Sequence, residues 1–431
     1  MERLFSNQPP LRILSKRRDL STLTIRISAT HANSLNTSFR TFHEIFFTLS
    51  PKNKSMRSNI LLLFTAGIFS FNACAQKDTT IEPAQTTIEY EMVVDSLDIA
   101  WGMTFLPDGS MLITDKSGKI IKFHNGTKQT LTGGPEVYQR GQGGLLDIIL
   151  HPNYEENGWI YMSYASSEGE GDGGNTAIMR TKLNGTQFTN SEVLYKATPN
   201  TTRGQHFGSR MVFDRDGYLY FSIGDRGNHD ENPQDITRDA GKIYRIHDDG
   251  RIPQDNPFVG QAGAKEAIYS YGHRNPQGMI LHPETGEVWV HEHGPQGGDE
   301  INVIKKGENY GWPLVTFGEN YGGGAISDQT TNPEMEDPIY QWTPSIAPSG
   351  FAYVTSDKYP SLKGNLLVGA LKFQYLEHVV IDGTEVQRRE KLLEEIGRVR
   401  DVKQAPDGTI YVSVEKFGIV KLIEREVSGT E

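Results

Sequence analysis

One arrangement of apolar and polar positions returns six times along the chain. An apolar pair leads into Pro or Asp, turn residues with Gly follow, and apolar residues then alternate again. The copies are Met103–Ile113, Ile148–Met162, Met211–Ile223, Met279–Val290, a looser Phe351–Gly369, and Val402–Val412. Alternation with a period of two reads as strand, turn, strand. Asp108-Gly109, Asp216-Gly217, Thr285-Gly286 and Asp407-Gly408 supply the turns. The copies are spaced 45 to 72 residues apart, and no long helical period lies between them. A pair of β-sandwiches or a β-helix would also contain hairpins. The count of six and the long Gly-rich connections favour an all-β, six-bladed β-propeller over residues 88–426. Each hairpin then buries its faces against its neighbours, so one domain of this length needs no separate core.

The residues before this region read differently. Residues 1–55 carry nine Lys or Arg against three Asp or Glu and show no strand or helix period. Met56-Arg57-Ser58-Asn59 then precedes an apolar run from Ile60 to Phe71 and the small residues before Cys74. This is the layout of a secretory signal over residues 56–73. The apolar run is too short for a membrane span, which needs about 20 residues. Residues 1–55 are therefore expected to be an upstream extension outside the functional chain, with Met56 as the true start. Phe71-Asn72-Ala73-Cys74 resembles a lipobox, which would make Cys74 a lipid anchor, and residues 74–87 a polar linker.

Composition sharpens this picture in two places. Cys74 is the one cysteine of 431 residues, which excludes an internal disulfide and a Cys-cluster metal site. From Cys74 onward 33 basic residues face 51 acidic ones, a balance that argues against nucleic-acid binding.

The unusual polar residues keep register with the hairpins. Gln142 lies six residues before copy two, His206 five before copy three, and Arg274 five before copy four. Arg398 and Arg400 lie four and two before copy six. Asp225, Gly294-Pro295 and Lys372 follow the second strands of their hairpins. A hairpin starts and finishes at the same end, so all of these gather on one face, around one axis. Arg274, Lys372, Arg398 and Arg400 would suit a ligand with several carboxylates, each charge-assisted bond being worth about 1.5–3 kcal/mol. The competing reading pairs each with a local acid such as Asp299 or Asp401. His206 between glycines is a natural proton acceptor, and Asp225 at the far end of the same hairpin could orient it. His229, His273 and His378 are expected in loops or on the surface. The oxygen-rich stretch Glu292–Asn302 leaves calcium open on spacing alone. Zinc is disfavoured, because His291 and His293 alternate along a strand.

At this point the phrases become specific. They include Gln142-Gly-Gly-Leu-Leu, His206-Phe-Gly-Ser-Arg-Met-Val-Phe, Ile223-Gly-Asp-Arg-Gly, Gly272-His-Arg-Asn-Pro-Gln-Gly278, Gly298-Asp-Glu-Ile-Asn302, Asn309-Tyr-Gly-Trp-Pro313 and Arg398-Val-Arg-Asp401. From about Leu97 to Leu422 the chain resembles the soluble quinoprotein glucose and aldose sugar dehydrogenases. That resemblance implies pyrroloquinoline quinone (PQQ), Ca2+ and an aldose substrate oxidised at its anomeric carbon to a lactone. It implies His206 as general base and Arg274 and Asn275 against the quinone. Lys372, Arg398 and Arg400 would hold its carboxylates, and Gln142 would touch substrate and cofactor. The carbonyls of Gly294 and Pro295 would ligate the quinone's calcium, and Glu300 and Tyr310 a second, structural one. Gln205 replaces the acid of the glucose enzymes and the inter-blade loops are shorter, which places the chain nearer the aldose branch. The electron acceptor is not named by the sequence. Two other functions fit a propeller: a non-catalytic binding module, and a calcium-dependent lactone hydrolase with carboxylate ligands on the axis.

Overall fold

The computed structural model describes residues 86–426. The extension, the signal segment, Cys74 and most of the linker lie outside the described residues. Six four-stranded antiparallel sheets stand around a central axis. All six repeated hairpins prove to be the two inner strands of a blade, such as Ala100–Phe105 with Met111–Asp115 and Met211–Phe213 with Leu219–Ile223.

The second strand of each blade is where the apolar demand is highest. Met111–Asp115, Leu219–Ile223, Val288–Glu292 and Leu366–Ala370 are buried at every position. A neighbouring blade covers each face of these strands, so side chains pointing either way leave water. One apolar cluster fills each of the six junctions between blades. A fully buried Leu, Ile or Val there contributes about 1.5–3 kcal/mol. The outermost strand of the fifth blade, Glu385–Leu392, is largely exposed and strongly charged.

The ring closes through its ends. Thr86–Asp95 pairs with Gly418–Glu426 and becomes the outer strand of the sixth blade. In five blades the inner strand carries a register shift near its start, at Ala100/Gly102, Leu145/Ile148, Pro276/Gly278, Ser349/Phe351 and Val399/Asp401. Such a bulge re-aims the local side chains. Asp147, Gln277, Arg400 and Asp401 sit at these irregularities.

Beneath them the axis is plugged. Arg210 is fully buried, and its Nη1 donates to Asp147 Oδ1 at 3.0 Å and to Asp401 Oδ1 at 2.9 Å. Its Nε donates to the Gln277 carbonyl, and its guanidinium lies 4.4 Å from the Trp101 ring centroid. The two carboxylates also accept from the Met211 and Met103 amides. Five blades are tied to this one cation. One helical turn, Tyr154–Asn157, is the α-helix among the described residues; no helix there is long and apolar enough to cross a membrane.

Candidate active site

On the face where the hairpins start and finish, a cavity of about 360 Å³ sits above the Arg210 plug. Trp101, Gln142, Phe207, His293, Arg398 and Arg400 line it, together with Glu415. These residues come from the starts or finishes of hairpins in different blades, the arrangement the register predicts.

His206 borders this cavity through its neighbours. Its backbone N–H donates to Gln142 Oε1 at 2.7 Å, and Phe207 and Gly208 continue the wall. His206 adopts φ +56°, a conformation uncommon outside glycine and costing on the order of 1–3 kcal/mol. Gly224 permits it: a Cβ there would lie 2.4 Å from the His206 carbonyl oxygen. The glycines around His206 thus serve backbone against backbone, where the sequence suggested approach to a ligand.

The imidazole meets Asp225 with Nδ1 2.6 Å from Oδ1. Burial pushes the Asp225 carboxyl up, but the His206 bond, the His206 and Arg274 charges and the Gly227 amide outweigh it and leave it below its ordinary value. An ionised Asp225 can only accept, so Nδ1 carries the proton and Nε2 keeps its lone pair. Burial also lowers the His206 pKa, against the pull of Asp225. The group is therefore a neutral, oriented base near pH 7. Trp312 Nε1 donates to the second oxygen of Asp225 at 2.9 Å.

Arg274 and Asn275 lie just before the fourth blade's inner strand, and both are buried. Arg274 Nη1 donates to the carbonyls of His293 and Gly294 at 3.0 and 2.9 Å. Its Nε is buried and has no partner among the described residues. Asn275 Oδ1 accepts from the Gly208 amide at 3.2 Å. The Gly294 loop is pinned by Asp299, which accepts from the amides of Gly294, Ile346 and Ala347. Burial lifts the Asp299 pKa to about 6.

The arginines of the sixth blade have a partner that the sequence reading did not name. Arg398 Nε donates to Glu415 Oε2 at 2.6 Å, and Arg400 Nε donates to Glu415 Oε1 at 2.9 Å. Asp299 and Asp401, the local acids considered for pairing, hold backbone amides and Arg210 instead. Lys372 stands apart: it is exposed, with its ammonium 5.1 Å from the Phe373 ring, while Leu371 reaches the cavity wall. Pro295 is buried beside Gly318.

Glu300 and Tyr310 border a small void with Glu292 and Gly294. Burial, and then the nearby Glu292 charge, hold the Glu300 carboxyl well above its usual range. The Tyr310 hydroxyl donates to the Val303 carbonyl at 2.6 Å. His273 lies in a loop, as expected, but it is fully buried there, bonded to Ser270 and Glu292 and stacked on Tyr310. His378 is buried too.

A multiply anionic ligand fits these residues. The wall offers two guanidiniums sharing one carboxylate, and Arg274 has an unsatisfied donor close by. The Gly294 carbonyl already faces a cation, so a divalent ion there would share it with Arg274 or displace it. The axial carboxylates that a lactone hydrolase would require, Asp147 and Asp401, are already paired with Arg210.

The chain is a sugar dehydrogenase of the six-bladed propeller type, with an arginine-walled cavity on one face beside the His206–Asp225 pair. The chain belongs to the glucose/sorbosone dehydrogenase family, whose model matches residues 97–421. It is 39% identical over 341 residues to the aldose sugar dehydrogenase YliI of Escherichia coli K12, covering 77% of this chain and 91% of that protein. The apo crystal structure of the soluble E. coli aldose sugar dehydrogenase superposes with a TM-score of 0.75 at 37% identity, over 79% of this chain and 100% of that one. The PQQ-bound aldose sugar dehydrogenase of Streptomyces coelicolor gives 0.65 at 29% identity, over 80% and 99%.

Glu415, Trp312 and Arg210 were missed in the sequence. Glu415 directly follows the strand Ile410–Val414, so the register that selected Asp225 after Ile223 would have found it.

Proposed function

We propose that this protein oxidises aldose sugars at the anomeric carbon to lactones, with PQQ as hydride acceptor and calcium beside it. The observation that carries this reading is the His206–Asp225 pair, its Nε2 without a partner among the described residues, beside a cavity walled by Arg398 and Arg400. The family membership and the PQQ-bound relative support it.

In this reading His206 Nε2 takes the proton of the anomeric hydroxyl, and Asp225 stabilises the imidazolium that forms. When bound, PQQ supplies the carbonyl carbon that receives the sugar's hydride. Arg274 places positive charge where oxygen becomes negative, an oxyanion-hole role, and Asn275 packs beside it. Arg398 and Arg400 hold carboxylates, sharing their donors with Glu415; Lys372 would have to turn from Phe373 toward the cavity to join them. Gln142 fixes the His206 backbone and faces substrate. Gly294 and Pro295 offer carbonyls to one calcium, and Glu300 and Tyr310 oxygens to a second. Electrons then pass to an acceptor still to be identified. Residues 56–73 export the chain, and Cys74 anchors it to lipid.

The test is reconstitution of the protein with PQQ and calcium, followed by dye reduction across an aldose panel. Sugar-dependent dye reduction that requires both additions is expected; its absence with every aldose would overturn the reading.

A further inference from the structure

We propose that Trp312 is a positioning residue for the base, holding the Asp225 carboxylate so that His206 stays in one tautomer. This rests on the function proposed above and names a residue that reading left without a role. Asp225 Oδ1 accepts from two donors, His206 Nδ1 and the Gly227 amide, each at 2.6 Å. Its Oδ2 accepts from one side chain among the described residues, the Trp312 indole at 2.9 Å. Without that bond the carboxylate is held at one oxygen only and can turn about its last torsion.

The indole itself cannot drift. The Trp312 amide donates to the Gly272 carbonyl at 2.9 Å, and Gln234 Nε2 donates to the Trp312 carbonyl at 2.8 Å. The side chain is buried, with the Arg274 guanidinium 5.2 Å from its ring centroid. A loop of the fourth blade therefore reaches the base pair of the third and the cation beside the reacting centre through one ring. A buried indole N–H usually finds a partner; here the partner is the acid that orients the base.

The charged and titratable groups around His206 come from three segments. Asp225 and Arg226 follow the strand Leu219–Ile223, Arg274 precedes Pro276–Leu281, and His293 follows Val288–Glu292. Arg274, Arg226 and His293 do not bond the imidazole, so the tautomer is set through Asp225.

The test is Trp312→Phe, which keeps the ring and removes the donor. In ¹⁵N spectra of the apo wild type, His206 should show one tautomer with the proton on Nδ1. The Trp312 indole N–H resonance should follow His206 through its titration with the same midpoint. In the variant, His206 should become a mixture of tautomers. PQQ affinity, read by absorbance titration, should change less than about twofold. Single-turnover reduction of bound quinone by sugar should fall about tenfold to a hundredfold, part of the ~10²–10⁴ that a positioned base supplies. Its acid limb should move to higher pH, because an uncompensated Oδ2 charge favours the imidazolium. An unchanged tautomer and acid limb, or a rate loss accounted for by weaker PQQ binding, would overturn the proposal. Should the variant not fold, the wild-type indole resonance decides: one that ignores His206 titration overturns it. The apo spectra need no turnover, so this result stands apart from failure of the sugar assay.

Discussion

The Nδ1 of His206 lies 2.6 Å from Oδ1 of Asp225, although the two residues approach from different segments flanking one hairpin. The pair makes a base that is oriented before substrate arrives. His206→Ala should keep the spectrum of bound PQQ and lose turnover by about 10²–10⁴. Asp225→Asn should lose comparably while binding PQQ. The neutral imidazole is the active form, and burial lowers its pKa from 6.5. Activity should therefore persist below pH 6.5 and fall only as pH drops through that lowered value. A kcat/KM profile with its acid limb above 6.5 would contradict this.

Arg398 and Arg400 share Glu415 but differ in exposure, with side chains 47% and 12% exposed. Solvent screens the outer arginine more. Arg400→Ala should weaken PQQ binding by about 10- to 100-fold and Arg398→Ala by less, each affecting affinity more than turnover of loaded enzyme. Absorbance titration of apo protein measures both.

The Arg210 plug predicts a stability defect. Replacing Arg210 by Leu leaves Asp147 and Asp401 buried without their shared cation. Breaking a buried pair in this way costs about 3–5 kcal/mol. Urea unfolding should show the loss, and Arg210→Lys should recover only part of it, because a lysine cannot also donate through a planar fork.

His291 predicts acid sensitivity of the fold. Burial holds its pKa down to about 3, against 6.5 when exposed. Between these values the unfolded chain binds a proton that the folded one does not, so stability rises with pH across the window. Each unit below 6.5 should cost up to ~1.4 kcal/mol from this group. His291→Gln should flatten the dependence of urea midpoint on pH between 6 and 4.

Glu300 sits against Glu292, and like charges there call for a cation. Added calcium should raise the melting temperature of the wild type by mass action. Glu300→Gln should shrink that shift, and a chelator should abolish it in the wild type.

The inner hairpins were legible in the sequence because their strands are strongly apolar and four of their six turns carry Asp-Gly or Thr-Gly. The outer strands were not, since Glu385–Leu392 faces water on most positions and no apolar period survives. The gathering of Gln142, His206, Asp225, Arg274 and Arg400 on one face followed from register alone. Partnerships did not. That Arg400 turns to Glu415, and that Asp401 and Asp147 face Arg210, goes with bulges at Val399/Asp401 and Leu145/Ile148. A bulge turns a side chain without leaving a mark in the hydrophobic pattern. The burial of His273 was not legible either: the residue sits in a loop, as its neighbours Gly272 and Arg274 suggest, yet Tyr310 from a distant segment covers it.

The strand Thr86–Asp95 has no partner until Gly418–Glu426 exists, and Arg425 bonds Glu89 across 336 positions of sequence. A ribosome must therefore release almost the whole polypeptide before the toroid can latch. Any nascent chain stalled before Gly418 carries an open arc with the sixth blade unfinished, and no sealed chamber for a redox ligand.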